Sequence, residues 1–161
     1  MKDFIRVSVG VIIAFIIYTI FNKISASLLQ LFNVFSLVVI YFAVEKDEIF
    51  GACLGGFCGL IHDSFSLGVF GVAGLAKTIT GFLAGYISKK IDVLPVLRNF
   101  VFIFILISIE FILWALFYSF IFSQSITGGR KLIYFQPLST ALVGSVLFLL
   151  LRRIKKESPL S

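Results

Sequence analysis

Six long apolar runs, separated by polar breaks a few residues wide, decide what this chain can become. They are Phe4–Phe21 (interrupted only by Arg6), Leu28–Val44, Ile49–Ile61, Leu67–Ile87, Phe100–Phe122 and Leu132–Leu151. A helix needs about 20 apolar residues to cross about 30 Å of hydrocarbon. Lipid satisfies no backbone polar group, so a run that enters it must be helical. The short run, Ile49–Ile61, rises only about 20 Å. It must recruit flanking residues, tilt, or thin the bilayer. The chain is therefore expected to be a single all-α integral membrane domain, residues 1–161, with spans near 4–21, 28–44, 49–66, 67–87, 100–122 and 132–151.

Composition agrees with this. Apolar residues make up 60% of the 161 and charged residues 14%, against about 45–50% and about 25% in ordinary globular domains. The 20 phenylalanines exclude a disordered chain, and two cysteines exclude a disulfide scaffold. The net charge of +6 would suggest nucleic acid in a soluble protein. Here the cations punctuate apolar runs, so no nucleic-acid partner is expected. With a cytoplasmic N-terminus, the inner segments hold Lys2, Arg6, Lys46, Lys89, Lys90, Arg98, Arg152, Arg153, Lys155 and Lys156. The outer segments hold only Lys23, Arg130 and Lys131. That bias places both termini in the cytoplasm. Lys2 and Arg6 before an apolar stretch also fit a signal peptide, but the first run is expected to remain as a span.

Glycine marks the middle of the chain. Gly51, Gly55 and Gly59 recur every fourth residue, and Gly81 and Gly85 repeat that spacing in the next run. Residues four apart share a helix face, so these positions form a groove for a neighbouring backbone. A packed hairpin of runs three and four is expected, although a partner's helix would fit the same groove. Between the two runs, Asp63 is expected to cap or end its helix at the headgroup level. His62 reads as an interfacial side chain with local hydrogen bonds. Cys53 and Cys58 read as small buried hydrophobes.

Two charges lie deep in the spans. Lys77 is ten residues from the outer end of its run and Glu110 ten from the inner end of the next. Each sits roughly 15 Å deep, and the two runs are antiparallel, so the charges fall at one height and can pair. Asn33, Thr78, Thr80, Ser108, Ser139 and Thr140 are the polar residues that could supplement them. A structural ion pair is the favoured reading over partner docking or a transport relay. No catalytic, cofactor or metal motif appears. Glu45, Asp47 and Glu48 read as a solvated turn. Tyr18, Phe21, Tyr118, Phe120, Phe122, Tyr134 and Phe135 read as an aromatic belt.

The segment Gly51-Ala52-Cys53-Leu54-Gly55-Gly56-Phe57-Cys58-Gly59-Leu60-Ile61-His62-Asp63, then Leu67-Gly68 and Gly81-x-x-x-Gly85-Tyr86, resembles the rod shape-determining protein MreD family. The specific part covers Gly51–Ile91; elsewhere only the span pattern, the small loops and the basic C-terminal tail agree. The resemblance implies a non-catalytic scaffold of the bacterial inner membrane. Its implied partners are an MreC-like bitopic protein and, beyond it, RodA, a class B penicillin-binding protein and, indirectly, MreB. It also implies the six-helix fold of substrate-binding subunits of energy-coupling-factor transporters. Gly51, Gly55, Gly59, Asp63, Gly68, Gly81 and Gly85 become structural or partner-contact candidates, and no cofactor is implied. The alternative is a vitamin-binding transporter subunit of that fold, whose first-span Ala-x-x-x-Ala face Gly10-x-x-x-Ala14 approximates. A membrane-embedded enzyme would need a nucleophile–base pair that the sequence does not suggest.

Overall fold

The computed structural model describes residues 2–25, 32–65, 70–91, 95–122 and 135–157, and all the regular structure among them is helical. The helices are α1 (Lys2–Ile24), α2 (Val34–Glu45), α3 (Glu48–Phe65), α4 (Val72–Ser88), α5 (Val96–Phe122) and α6 (Gln136–Glu157). Their ends follow local chemistry. The Asn33 side chain accepts from the Ser36 N–H at 3.3 Å and caps α2, while Asp47 Oδ1 accepts from the Phe50 N–H at 2.7 Å and caps α3. Gly71 takes φ +97°, a left-handed value that suits glycine, and α4 begins directly after it at Val72. Pro95 opens α5 and Pro137 sits in the first turn of α6, where a missing N–H costs little. α5 thus starts four residues before the apolar run does.

The 12-residue α2 is the hub, touching every other helix. It is apolar nearly all round, as a helix enclosed by others must be. On one side Leu37, Ile40 and Ala43 pack with Ala84 of α4, with Phe102, Ile103, Leu106 and Ile107 of α5, and with Ala141 and Phe148 of α6. On the other side Phe35, Val39 and Phe42 pack with Val7, Ala14 and Tyr18 of α1 and with Leu54 and Cys58 of α3.

Two helices, α1 and α5, carry stretches long and apolar enough to cross a membrane, Phe4–Ile24 and Val96–Ile121. Only 22% and 28% of their most apolar windows are buried. The central helix of a water-soluble bundle would hide such a face. Here Phe4, Leu97 and Phe120 are each more than two-thirds exposed. An all-helical bundle with this surface is compatible with a membrane protein.

Several expectations need correction. Tyr18 is not part of an exposed belt: it is buried, its ring edge-on to His62 at 5.6 Å and tilted on Phe35 at 5.4 Å. His62 is accordingly half-buried among aromatic rings rather than at an open interface. Cys58 is buried but Cys53 is exposed. The acidic turn is not merely solvated. Glu45 pairs with Arg6 at 3.2 Å, Asp47 is a cap, and Glu48 pairs with Lys89. Gly10 of α1 packs on α2, where a Cβ would lie 2.8 Å from the Phe42 ring.

Candidate functional site

The glycine pattern resolves into a hairpin of α3 and α4 in which backbone meets backbone. A Cβ at Gly51 would strike the Gly81 carbonyl and approach Ala43 Cβ to 2.6 Å. At Gly55 it would strike the Lys77 carbonyl, and at Gly59 it would strike Gly74 Cα. At Gly81 it would strike the Gly51 carbonyl, and at Gly85 it would come within 2.5 Å of Glu48 Cα. In every case a fixed backbone atom occupies the space a side chain needs. The groove expected from the sequence therefore exists, and α4 fills it. Gly68 lies outside the described residues.

Asp63 locks the far end of this hairpin. It is buried, and its carboxylate accepts from the Gly71 N–H at 2.9 Å, the Gly74 N–H at 3.1 Å and the Ala73 N–H at 3.3 Å. It caps the N-terminus of α4, the following helix, rather than ending its own. Orphan N–H groups and the positive end of the helix dipole favour an anion there. At the opposite end the Lys89 ammonium hydrogen-bonds Glu48 and holds its carboxyl below the usual carboxylate range.

The two deep charges meet. Lys77 on α4 and Glu110 on α5 form a buried ion pair, Nζ to Oε1. α2 completes the cluster. Lys77 Nζ donates to Asn33 Oδ1 at 3.1 Å and Ser36 Oγ at 2.8 Å, so its three N–H bonds have three acceptors. Glu110 Oε1 also accepts from Asn33 Nδ2 at 2.9 Å and Ser36 Oγ at 2.7 Å. Thr140 Oγ1 of α6 accepts from the Asn33 N–H at 3.2 Å. Four helices thus converge on one neutral pair, with the carboxylate at the N-terminus of α2. The dipole of that helix favours the anion and opposes the cation.

The remaining polar candidates do not join. Thr78, Thr80, Ser108 and Ser139 hydrogen-bond to carbonyls three or four residues back along their own helices, as hydroxyls in membrane helices do. Ser36 went unnoticed in the sequence, where it is one small polar residue in an apolar run. The available signal was its spacing: three residues after Asn33, both project from one side of the first turn of α2.

An apolar groove of about 350 Å³ lies along the outer face of the hairpin, against Gly56, Leu60, Gly74, Thr78 and Ile121. No group of three or more His, Cys, Asp or Glu side chains that could hold a metal occurs among the described residues. The chemistry the buried cluster can perform as arranged is electrostatic: it holds helices together. Comparison with family models, curated proteins and solved structures returns no match.

Proposed function

We propose that the chain is a non-catalytic scaffold of a bacterial cytoplasmic membrane, threaded six times with both termini inside. It acts in the cell-elongation complex as the MreD-like partner of an MreC-like bitopic protein. Through that protein it contacts RodA and a class B penicillin-binding protein, and indirectly MreB. The supporting observation is that the recognition chemistry of the chain is used internally. The buried charges neutralise each other, and the glycine stripes are closed on one another. What remains for neighbours is the aliphatic and aromatic outer surface of helices such as α1 and α5, which suits sideways contact in lipid.

The transporter-subunit alternative draws less support. The Gly10-x-x-x-Ala14 face that would serve it is turned inward: Gly10 lies against Phe42 and Ala14 is buried. The test is affinity purification of the tagged full chain from membranes that also hold an MreC-like bitopic protein. Stoichiometric recovery of that protein is the expected result. Recovery without it, together with thermal stabilisation by a vitamin, would establish the alternative.

A further inference from the structure

The outer face of α4 ends in a charge that no described side chain neutralises. Leu75, Ile79, Phe82 and Tyr86 follow at intervals of four, three and four residues, and all are exposed. They form one outward ladder, opposite the buried Gly74, Lys77, Gly81 and Gly85. The Phe82 and Tyr86 rings are stacked, with centroids 6.1 Å apart and planes 8° apart. Four residues beyond Tyr86, the exposed Lys90 donates from Nζ to the Tyr86 hydroxyl at 2.7 Å.

The two lysines at this end differ. Lys89 is paired with Glu48. Lys90 meets no carboxylate among the described residues, and its ammonium spends one of three hydrogens on Tyr86. The Tyr86 hydroxyl accepts that bond, and no described contact uses its own hydrogen. A cation and a hydroxyl donor therefore stand together at the end of an apolar strip. The donors call for an anion with oxygen acceptors, and the strip beneath them calls for hydrocarbon. A solitary phosphate ion would leave the strip unused. From Leu75 to Tyr86 the helix advances eleven residues, about 16 Å. That is about half of the roughly 30 Å of hydrocarbon in a bilayer, the depth of one leaflet. The turn before Leu75 holds Gly71 and the buried Val72, so the ladder stops there.

We propose that Lys90 and Tyr86 hold the phosphate of an anionic phospholipid of the cytoplasmic leaflet, with an acyl chain lying along Phe82, Ile79 and Leu75. The site rests on the membrane placement proposed above, which puts this end of α4 at the cytoplasmic surface. A zwitterionic lipid fits worse, because its headgroup brings a second cation to the Lys90 ammonium. A partner helix with an acidic residue also fits worse, because a helix that crosses the bilayer needs a strip about twice as long.

The test is quenching of a tryptophan reporter by brominated phospholipids in vesicles that hold the full chain at low salt. Trp114→Phe removes the one native tryptophan, and Phe82→Trp places a reporter beneath the intact donor pair. Ile12→Trp, in the same background, is the control. It is exposed on α1 six residues from Arg6, whose charge Glu45 already balances. Brominated phosphatidylglycerol should be preferred over brominated phosphatidylcholine about five-fold at position 82, as one cation at a membrane surface gives, and hardly at all at position 12. Lys90→Gln should bring position 82 down to the level of position 12, and Lys90→Arg should keep the preference. A preference at position 82 no larger than at position 12 would overturn the site and leave Lys90 to an acidic partner helix. So would a preference that survives Lys90→Gln. Absence of quenching by both lipids at both positions would refute the membrane placement, and this site with it, so the two failures are told apart.

Discussion

Removing the two buried charges one at a time and then together tests the centre of the bundle. Truncating one member of a buried pair costs about 3–5 kcal/mol, because it strands the other charge. The two single variants should not be equal here. In Lys77→Leu the carboxylate keeps its bonds from Asn33 and Ser36 and its place at the start of α2. A helix terminus favours a charge by up to about 2 kcal/mol in partly buried geometry, so this variant belongs at the low end of the range. In Glu110→Leu the ammonium keeps Asn33 and Ser36 as acceptors but faces the unfavourable end of the same dipole, so its cost belongs at the high end. The double variant leaves no stranded charge. It forfeits the charge-assisted hydrogen bonds of Asn33 and Ser36 and leaves those neutral groups short of partners, at about 1–3 kcal/mol each, and the added leucine packing offsets part of that. The expected order of stability is wild type, double variant, Lys77→Leu, Glu110→Leu. Reversible unfolding in lipid–detergent mixtures, followed by helix content and fluorescence of Trp114, would measure it. A double variant no more stable than either single one would show that the pair is not an energetic unit. Lys77→Leu proving worse than Glu110→Leu would refute the role given to the α2 terminus.

Other positions give sharper local tests. Gly55→Leu should prevent α3 and α4 from closing, because its Cβ would strike the fixed Lys77 carbonyl; wild-type yield and melting behaviour would contradict the hairpin. Gly71→Ala meets no neighbour within 4 Å and carries only the strain of φ +97°, about 1–2 kcal/mol, so its melt should shift far less than that of Gly55→Leu. Asp63→Asn removes the charge but keeps one acceptor oxygen for three N–H groups. A loss of about 1–2 kcal/mol is expected from capping and dipole effects together, read as faster amide exchange at Gly71, Ala73 and Gly74. The Glu48–Lys89 contact lowers the folded pKa of Glu48. Its small contribution is therefore complete above the ordinary carboxylate range and is lost as pH falls through the folded value. Lys89→Gln should remove that acid-side slope from the stability profile.

The chain announced its helices and the hairpin because both rest on short-range rules. Apolar length predicts a membrane helix, and glycine at every fourth position predicts one close face. The height match of Lys77 and Glu110 was legible for the same reason, since two rods of known rise can be indexed against each other. What escaped depends on which helix lies beside which. The central place of α2 could not be read from its apolar run, and with it went the role of Ser36, the burial of Tyr18 and the setting of His62. Asp63 shows the limit well. Its position predicted a cap, but the helix it caps lies across a turn whose course its own sequence neighbours do not specify. The partners of Glu45 and Glu48, Arg6 and Lys89, lie on other helices and were equally invisible from the turn itself.

The backbone contact between α3 and α4 has a mechanical consequence. Two rods that touch along their carbonyls and α-carbons, and are pinned at both ends by Asp63 and by Glu48 with Lys89, cannot slide past each other by a turn without collision. They form a single stiff beam. Any flexing of the bundle must reside elsewhere, with α1 the loosest limb because it leans chiefly on α2.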